Sequence, residues 1–383
     1  MALVTPIKRL VAVLPFRLLL LVVVLLLGSE TIRAQEKAPS DPKATAKTKH
    51  LYRSLQRMAG TNIMFGHQDD LAYGVGWSYV DGRSDVQSVT GSYPAVYGWE
   101  LGHLELDSAR NLDKVPFAKI REYVKTTYKR GGINTISWHL NNPTNGKTAW
   151  DTARTVAAIL PGGAYHAQYL LYLDRLAAYL RTMRSGLTAV PIVFRPFHEH
   201  TGNWFWWCEN TCTPDEYKAL WRFTANYLRN TKKLHNLLLS YSSAEVRSLD
   251  HYLERYPGDE YVDMMGFDTY CRRDTARYKQ ELNRQLAILQ QAATQHGKVA
   301  ALTETGYDRI PATNWWTKTL LSTLKPYNIS YVLVWRNGGT SRDHFFAPYS
   351  GHPSADDFKQ FYNDPRVIFQ NRLSPLNVYR KKE

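Results

Sequence analysis

Short runs of β-branched and apolar residues recur along the chain, each closed by turn residues and followed by a stretch with helical periodicity. They fall at 62–67, 95–101, 133–139, 191–197, 237–242, 262–270, 299–305 and 331–335. Amphipathic segments at 117–129, 165–184, 214–230, 278–295 and 314–324 lie between them, long enough to cross back over a parallel sheet. Eight strand-helix units predict an α/β fold of the (β/α)8 TIM barrel kind, a single catalytic domain. A doubly wound dinucleotide fold is disfavoured, because the turn Phe65-Gly66-His67-Gln68-Asp69 has one glycine where three are wanted.

The pattern changes character before the first run. Lys8, Arg9 and Arg17 precede an uninterrupted apolar stretch at 18–27, only about half of the roughly 20 residues a membrane span needs. Residues 1–34 therefore read as a signal peptide cut after Ala34, with no nearby cysteine to carry an N-terminal lipid. Residues 35–49, rich in Lys, Ala, Pro, Asp and Thr without apolar periodicity, read as a disordered lead-in. The barrel domain is expected over 50–383, in a protein secreted from the cell or held in a periplasm. Compactness without a Ser/Thr-rich linker points to soluble or already shortened substrate chains.

Formal net charge is +14, but the Lys and Arg residues are scattered, with a dense run only at Arg380, Lys381 and Lys382. This predicts a generally basic soluble surface, with no nucleic-acid and no membrane partner. Cys208, Cys212 and Cys271 permit at most one internal disulfide. Cys208 with Cys212 closes the shortest loop, Cys208 with Cys271 ties two loops, and the choice stays open. A zinc site is disfavoured because no fourth ligand stands at a recognisable spacing.

Barrel enzymes place their chemistry at the carboxyl ends of the strands. Those ends read Gly66-His67-Gln68, Trp99-Glu100, Trp138-His139, His198-Glu199, Asp268 and Tyr270, Glu304, and Trp335-Arg336. So many polar and aromatic groups predict a cleft lined by both. Glycosidic cleavage needs one carboxylic acid to protonate the leaving oxygen and one carboxylate as nucleophile or base. Glu199 and Glu304, three strands apart in a ring of eight, can converge over the mouth. Glu199 stands among Phe197, Trp204, Phe205, Trp206 and Trp207, and aromatic faces raise a carboxyl pKa by desolvation. Glu304 must stay ionised, with Arg195, Arg336 or Tyr270 as candidate partners.

With these residues in view, the chain resembles glycoside hydrolase family 26, whose best-known members are β-mannanases. The resemblance runs from Phe65-Gly66-His67-Gln68 through Ser137-Trp138-His139, Arg195-Pro196-Phe197-His198-Glu199, Gly266-Phe267-Asp268-Thr269-Tyr270 and Thr303-Glu304 to Trp335-Arg336-Asn337. It implies Glu199 as acid/base, Glu304 as nucleophile and retention of anomeric configuration. His139, His198, Trp204, Tyr270, Trp335 and Arg336 are implied to bind substrate, with Tyr270 and Arg336 suited to orienting the nucleophile. Asp268 is open between the site and a buried structural role. The implied substrate is β-mannan or manno-oligosaccharide, handled by a monomer with no metal and no cofactor. The segment Cys208-Glu209-Asn210-Thr211-Cys212 departs from the family's glycine-led turn, which leaves internal cleavage and mannobiose release both open. Other readings are the same mechanism on β-1,3-xylan or mixed-linkage β-glucan, a metal hydrolase built on His198-Glu199-His200, and a binding protein without catalysis.

Overall fold

A computed structural model describes residues 1–3, 37–339 and 341–381. The predicted signal peptide lies almost wholly outside the described residues, and the body treated below begins at Ala38. Eight parallel strands run in chain order: β1 Ile63–Gln68, β2 Val96–Glu100, β3 Ile133–Trp138, β4 Ile192–Pro196, β5 Leu237–Ser243, β6 Met264–Cys271, β7 Val299–Tyr307 and β8 Tyr331–Val334. Each pairs with the next, and β8 pairs with β1 (Met64 beside Tyr331, His67 beside Val334), closing the barrel. A short ninth strand, β9 Val367–Ile368, lies along the start of β1. The predicted barrel is present, each strand within a residue or two of its expected place.

The main helices are α1 Ala46–Met58, α2 Phe117–Lys129, α3 His166–Arg181, α4 Pro214–Asn226, α5 Thr275–His296 and α6 Ala355–Asn363. Their ends follow local chemistry. Thr213 and Glu216 cap the start of α4 reciprocally, with Pro214 at the position where a missing N–H costs nothing. Asp274 accepts the free N–H groups of Ala276 and Arg277 at the start of α5, and Gly297, at φ 60°, ends it. The segment predicted at 214–230 is helical, but its last turn, Tyr227–Thr231, widens to π geometry. The segment at 314–324 is π-helical over Trp315–Leu321 before one α turn.

Side chains alternate across each strand, so the barrel has two inner zones. The lower one, toward the strand N-termini, is apolar: Met64, Val96, Ile133, Val193, Leu238, Met264 and Tyr331 form one buried cluster closed from below by Leu51, Leu55 and Met58 of α1. Two residues further along, the inward positions become small or polar, as at Gly66, Gly98, Thr135, Arg195, Ser240 and Gly266, with Leu333 remaining apolar. Gly98 belongs to this change, since a Cβ there would stand 1.9 Å from the Gln68 side-chain oxygen. The outward positions pack against the helices in the larger apolar layer.

Two expectations need correction. The stretch predicted as a disordered lead-in is ordered from residue 38, and folding does not wait for His50. Ser40 N–H donates to Asp263 (2.6 Å), Arg229 donates to the Ser40 hydroxyl (2.6 Å), His235 bonds Asp41 (2.8 Å), and Thr45 caps α1. The bonds of Ser40 and Asp41 are long-range, and they leave no mark in local periodicity. All three cysteines are buried free thiols, so neither candidate disulfide forms. Among the described residues, no helix is long and apolar enough to cross a membrane.

Candidate active site

The polar end of the barrel is organised around Arg195, the last inward residue of β4. Its guanidinium donates to Asp268 at 2.7 Å and to Glu304, holding both carboxylates at once. Asp268 also accepts from the hydroxyls of Thr303 (2.7 Å) and Ser242 (3.2 Å). It is buried and serves to hold Arg195 in place, which answers the question left open for it. Glu304 accepts a second bond from the Tyr270 hydroxyl at 2.7 Å.

Glu304 owes its inward aim to an irregularity in pairing. Phe267 sits beside Leu302, but the next residue of β6, Asp268, sits beside Glu304, so Thr303 is an extra residue in β7. Such a bulge turns two successive side chains to one face. Thr303 bonds Asp268 and Glu304 meets Arg195 and Tyr270, both from within the barrel.

Glu199 lies past the end of β4, where Phe197 and Glu199 adopt left-handed backbone, φ 48° and 53°. The segment 197–200 is thus coiled, and His198 and His200 do not share the side that an extended strand would give them. The Glu199 N–H donates to Ser242 O (2.9 Å), and its carboxylate accepts from Trp204 Nε1 (2.8 Å). Desolvation, then the charges of Asp268 and Glu304, push its pKa up to about 8. A proton held to that pH is what a general acid requires. The side-chain oxygens of Glu199, Asp268 and Glu304 come within 4.8 Å of one another. Arg195 already supplies positive charge among them.

His139 and His198 meet beside this group, Nε2 to Nε2 at 3.0 Å. Beneath them Glu100 is fully buried and accepts from His139 Nδ1 (2.8 Å), His139 N–H (2.8 Å) and the Ser137 hydroxyl (2.6 Å). Burial opposes its ionisation, yet the His139 charge and these bonds hold its pKa down at about 2. Burial likewise opposes charging His139, but Glu100 outweighs it and raises the imidazole pKa. Burial first, then the charges of Arg195 and His139, keep His198 neutral. The proton between the rings therefore belongs to His139, and His198 carries its own on Nδ1, a buried donor without a protein partner among the described residues. Glu100 was visible as a strand-end residue, but nothing local marked it as the group that fixes this pair.

Other predicted residues divide. Trp204 and Trp335 are half-buried at the mouth. Trp99 and Trp138 face outward into the helix layer, bonded to Asn134 and Glu105 (2.8 and 2.9 Å), and Trp206 and Trp207 are fully buried. The cleft is accordingly less aromatic than the strand ends suggested. Arg336 pairs with Asp113 of the β2–α2 loop at 3.0 Å, so orientation of Glu304 falls to Arg195 and Tyr270 instead. His200 is wedged between Tyr217 and Tyr241, ring centroids 4.7 and 4.6 Å away, as a neutral core residue and no partner to His198 in a metal cluster. Trp150 was missed: it is half exposed, stacks flat on His139 (5.2 Å, 5°), and lines the cleft. It lies in a long loop, where only tertiary contact brings it to the site. The cleft has a volume of about 1370 Å³ and runs from Trp150, Glu199 and Trp204 past Tyr270 to Arg273 and Arg277.

Known proteins match this arrangement. The profile described as glycosyl hydrolase family 26 aligns with residues 40–343. A mannan endo-1,4-beta-mannosidase of Bifidobacterium adolescentis is 35% identical over 87% of this chain, which spans only 35% of that protein's length. One from Bacillus subtilis is 30% identical, covering 65% of this chain and 71% of its own. Among solved structures, a GH26 beta-mannanase from Bacteroides ovatus superposes with a TM-score of 0.86 at 44% identity, covering 88% of this chain and 98% of that one. A modular endo-beta-1,4-mannanase from Cellulomonas fimi gives 0.82 at 33% identity over 90% and 80% of the two chains. A profile match over most of the chain, agreeing with a closed barrel that brings the Glu199 and Glu304 carboxylates together at one end, makes this protein a member of glycosyl hydrolase family 26.

Proposed function

We propose that the protein is a retaining β-1,4-mannanase acting on β-mannan or manno-oligosaccharides. Glu199 protonates the glycosidic oxygen as Glu304 attacks the anomeric carbon, forming a glycosyl enzyme. The ionised Glu199 then takes a proton from the water that attacks this intermediate, and the original configuration returns. The observation that carries the reading is the close approach of the two carboxylates, an oxygen of Glu199 lying within 4.8 Å of one of Glu304. Retaining enzymes hold theirs at about 5–5.5 Å, whereas an inverting pair needs roughly 6.5–9.5 Å to admit a water. The mannan assignment rests on likeness to the mannanases named above, and the exported location on the leader read in residues 1–34, which N-terminal sequencing of the purified protein would check.

Mannohexaose, β-1,3-xylan and mixed-linkage glucan, each offered to the protein and to its Glu304→Ala variant, separate the possibilities. Cleavage of mannohexaose with the β-anomer appearing first by proton NMR, and loss of at least about 10³-fold of the rate in the variant, are expected. The α-anomer first would reject retention, and cleavage of another glycan alone would reject mannan.

A further inference from the structure

The end of the barrel opposite the cleft carries charge that the sequence scatters and the fold collects. Between residues 42 and 68 there is no Asp or Glu, but there are Lys43, Lys47, Lys49, Arg53 and Arg57. In α1 the buried side is Thr48, Leu51, Tyr52, Ser54, Leu55 and Met58, which spends the whole apolar stripe of the helix on the barrel floor. Its other side presents Lys47, Lys49, His50, Arg53 and Arg57. The C-terminal segment docks beside it, with the Ser54 hydroxyl bonded to Val378 O (3.1 Å) and the Tyr379 hydroxyl to Gly132 O (2.7 Å), and so delivers exposed Arg380 and Lys381 to the same face. Burial, then the charges of Arg53, Lys47, Arg57 and Lys381, lower the pKa of His50, an independent sign that these cations gather in space. Asp41, the nearest carboxylate in sequence, is taken by His235. Among the described residues, no salt bridge ties Lys43, Lys47, Lys49 or Lys381 to a carboxylate.

We propose that this face, formed by α1 and the C-terminal segment, docks electrostatically on an anionic phospholipid surface. A row of Lys and Arg on a helix attracts acidic headgroups. With Ala46 the one apolar residue exposed on α1, too small to insert, the attachment is reversible and screened by salt. Among the described residues of α1 and the C-terminal segment no aromatic ring is exposed for stacking, which favours a lipid surface over single-stranded nucleic acid. Docked this way, the barrel points its cleft away from the bilayer, toward soluble polymer. The attachment is independent of which glycan is cleaved.

Cosedimentation of the purified mature protein with vesicles of phosphatidylcholine alone, and of equal parts phosphatidylcholine and phosphatidylglycerol, tests this. At low salt, binding to the acidic vesicles is expected to be at least about tenfold stronger, and to fall to the neutral level in high salt. The quadruple variant K43E/K47E/K49E/K381E should lose the preference while hydrolysing substrate in solution at the unaltered rate; the corresponding Lys→Gln set, with milder charge change, should lose most of it. Equal binding to both vesicles, acidic-vesicle binding that survives in a variant of unaltered solution activity, or tighter binding to duplex DNA than to acidic vesicles at the same salt would each overturn the proposal.

Discussion

A single indole N–H tempers the acid's pKa. Trp204 donates to Glu199 at 2.8 Å, a bond that favours the ionised carboxylate and so opposes the rise caused by burial and by Asp268 and Glu304. The acid must be protonated to work, so activity falls as pH rises through its pKa. Removing the donor in Trp204→Phe raises that pKa and should carry the alkaline limb of kcat/KM upward by about one pH unit, given about 1.5 kcal/mol for a bond to a charged group and 1.36 kcal/mol per unit. KM should rise as well, because a smaller ring faces the sugar. A pH–rate profile that stays in place or moves downward would reject this assignment. At the same scale Arg195 spans two carboxylates and Tyr270 caps one, so charge balance within the cleft depends on few side chains, each fixed by a neighbour of opposite character.

The elements set where those side chains stand. The bulge in β7 turns Glu304 inward, and left-handed backbone at Phe197 and Glu199 turns the acid back over the barrel. Asn337, just beyond β8, pins two loops together: it donates to Asp85 (2.8 Å) and Ala347 O (3.1 Å) and accepts from the N–H groups of Phe346 and Ala347 (2.9 and 3.0 Å). Asp85 in turn holds Trp77 and Val75 N–H (2.8 and 2.6 Å), and Phe346 packs edge-on against Tyr270 at 5.7 Å. Asn337→Ala would orphan several buried groups at about 1–3 kcal/mol each, after partial relaxation a loss of about 3 kcal/mol. Urea unfolding should register it, and kcat/KM should drop about tenfold as Phe346 and Tyr270 lose their support. Unaltered stability would mean that the loops are held elsewhere.

Across the whole molecule, the N-terminal segment is part of the fold. A chain beginning at Ala38 keeps the bonds of Ser40 and Asp41 and the Thr45 cap, whereas one beginning at His50 loses them and the first turn of α1. The shorter chain should unfold about 3 kcal/mol more readily, at about 1 kcal/mol for the cap and the rest for bonds involving charged groups. Equal stability by denaturant titration would return residues 38–49 to the status of a lead-in. Eight strands, their order and the convergence of Glu199 and Glu304 at the strand ends were legible from residue patterns alone. Burial of alternate side chains and the placing of polar groups at strand ends are local properties that a linear sequence records. What tertiary structure decided is of another kind: which strand-end tryptophans face the helices, that Arg336 answers Asp113, that Glu100 orders two histidines, that Trp150 reaches the cleft from a distant loop, and that scattered lysines share one face. Each depends on contacts between residues far apart in the chain, and the energy of such a contact appears in neither partner's local sequence.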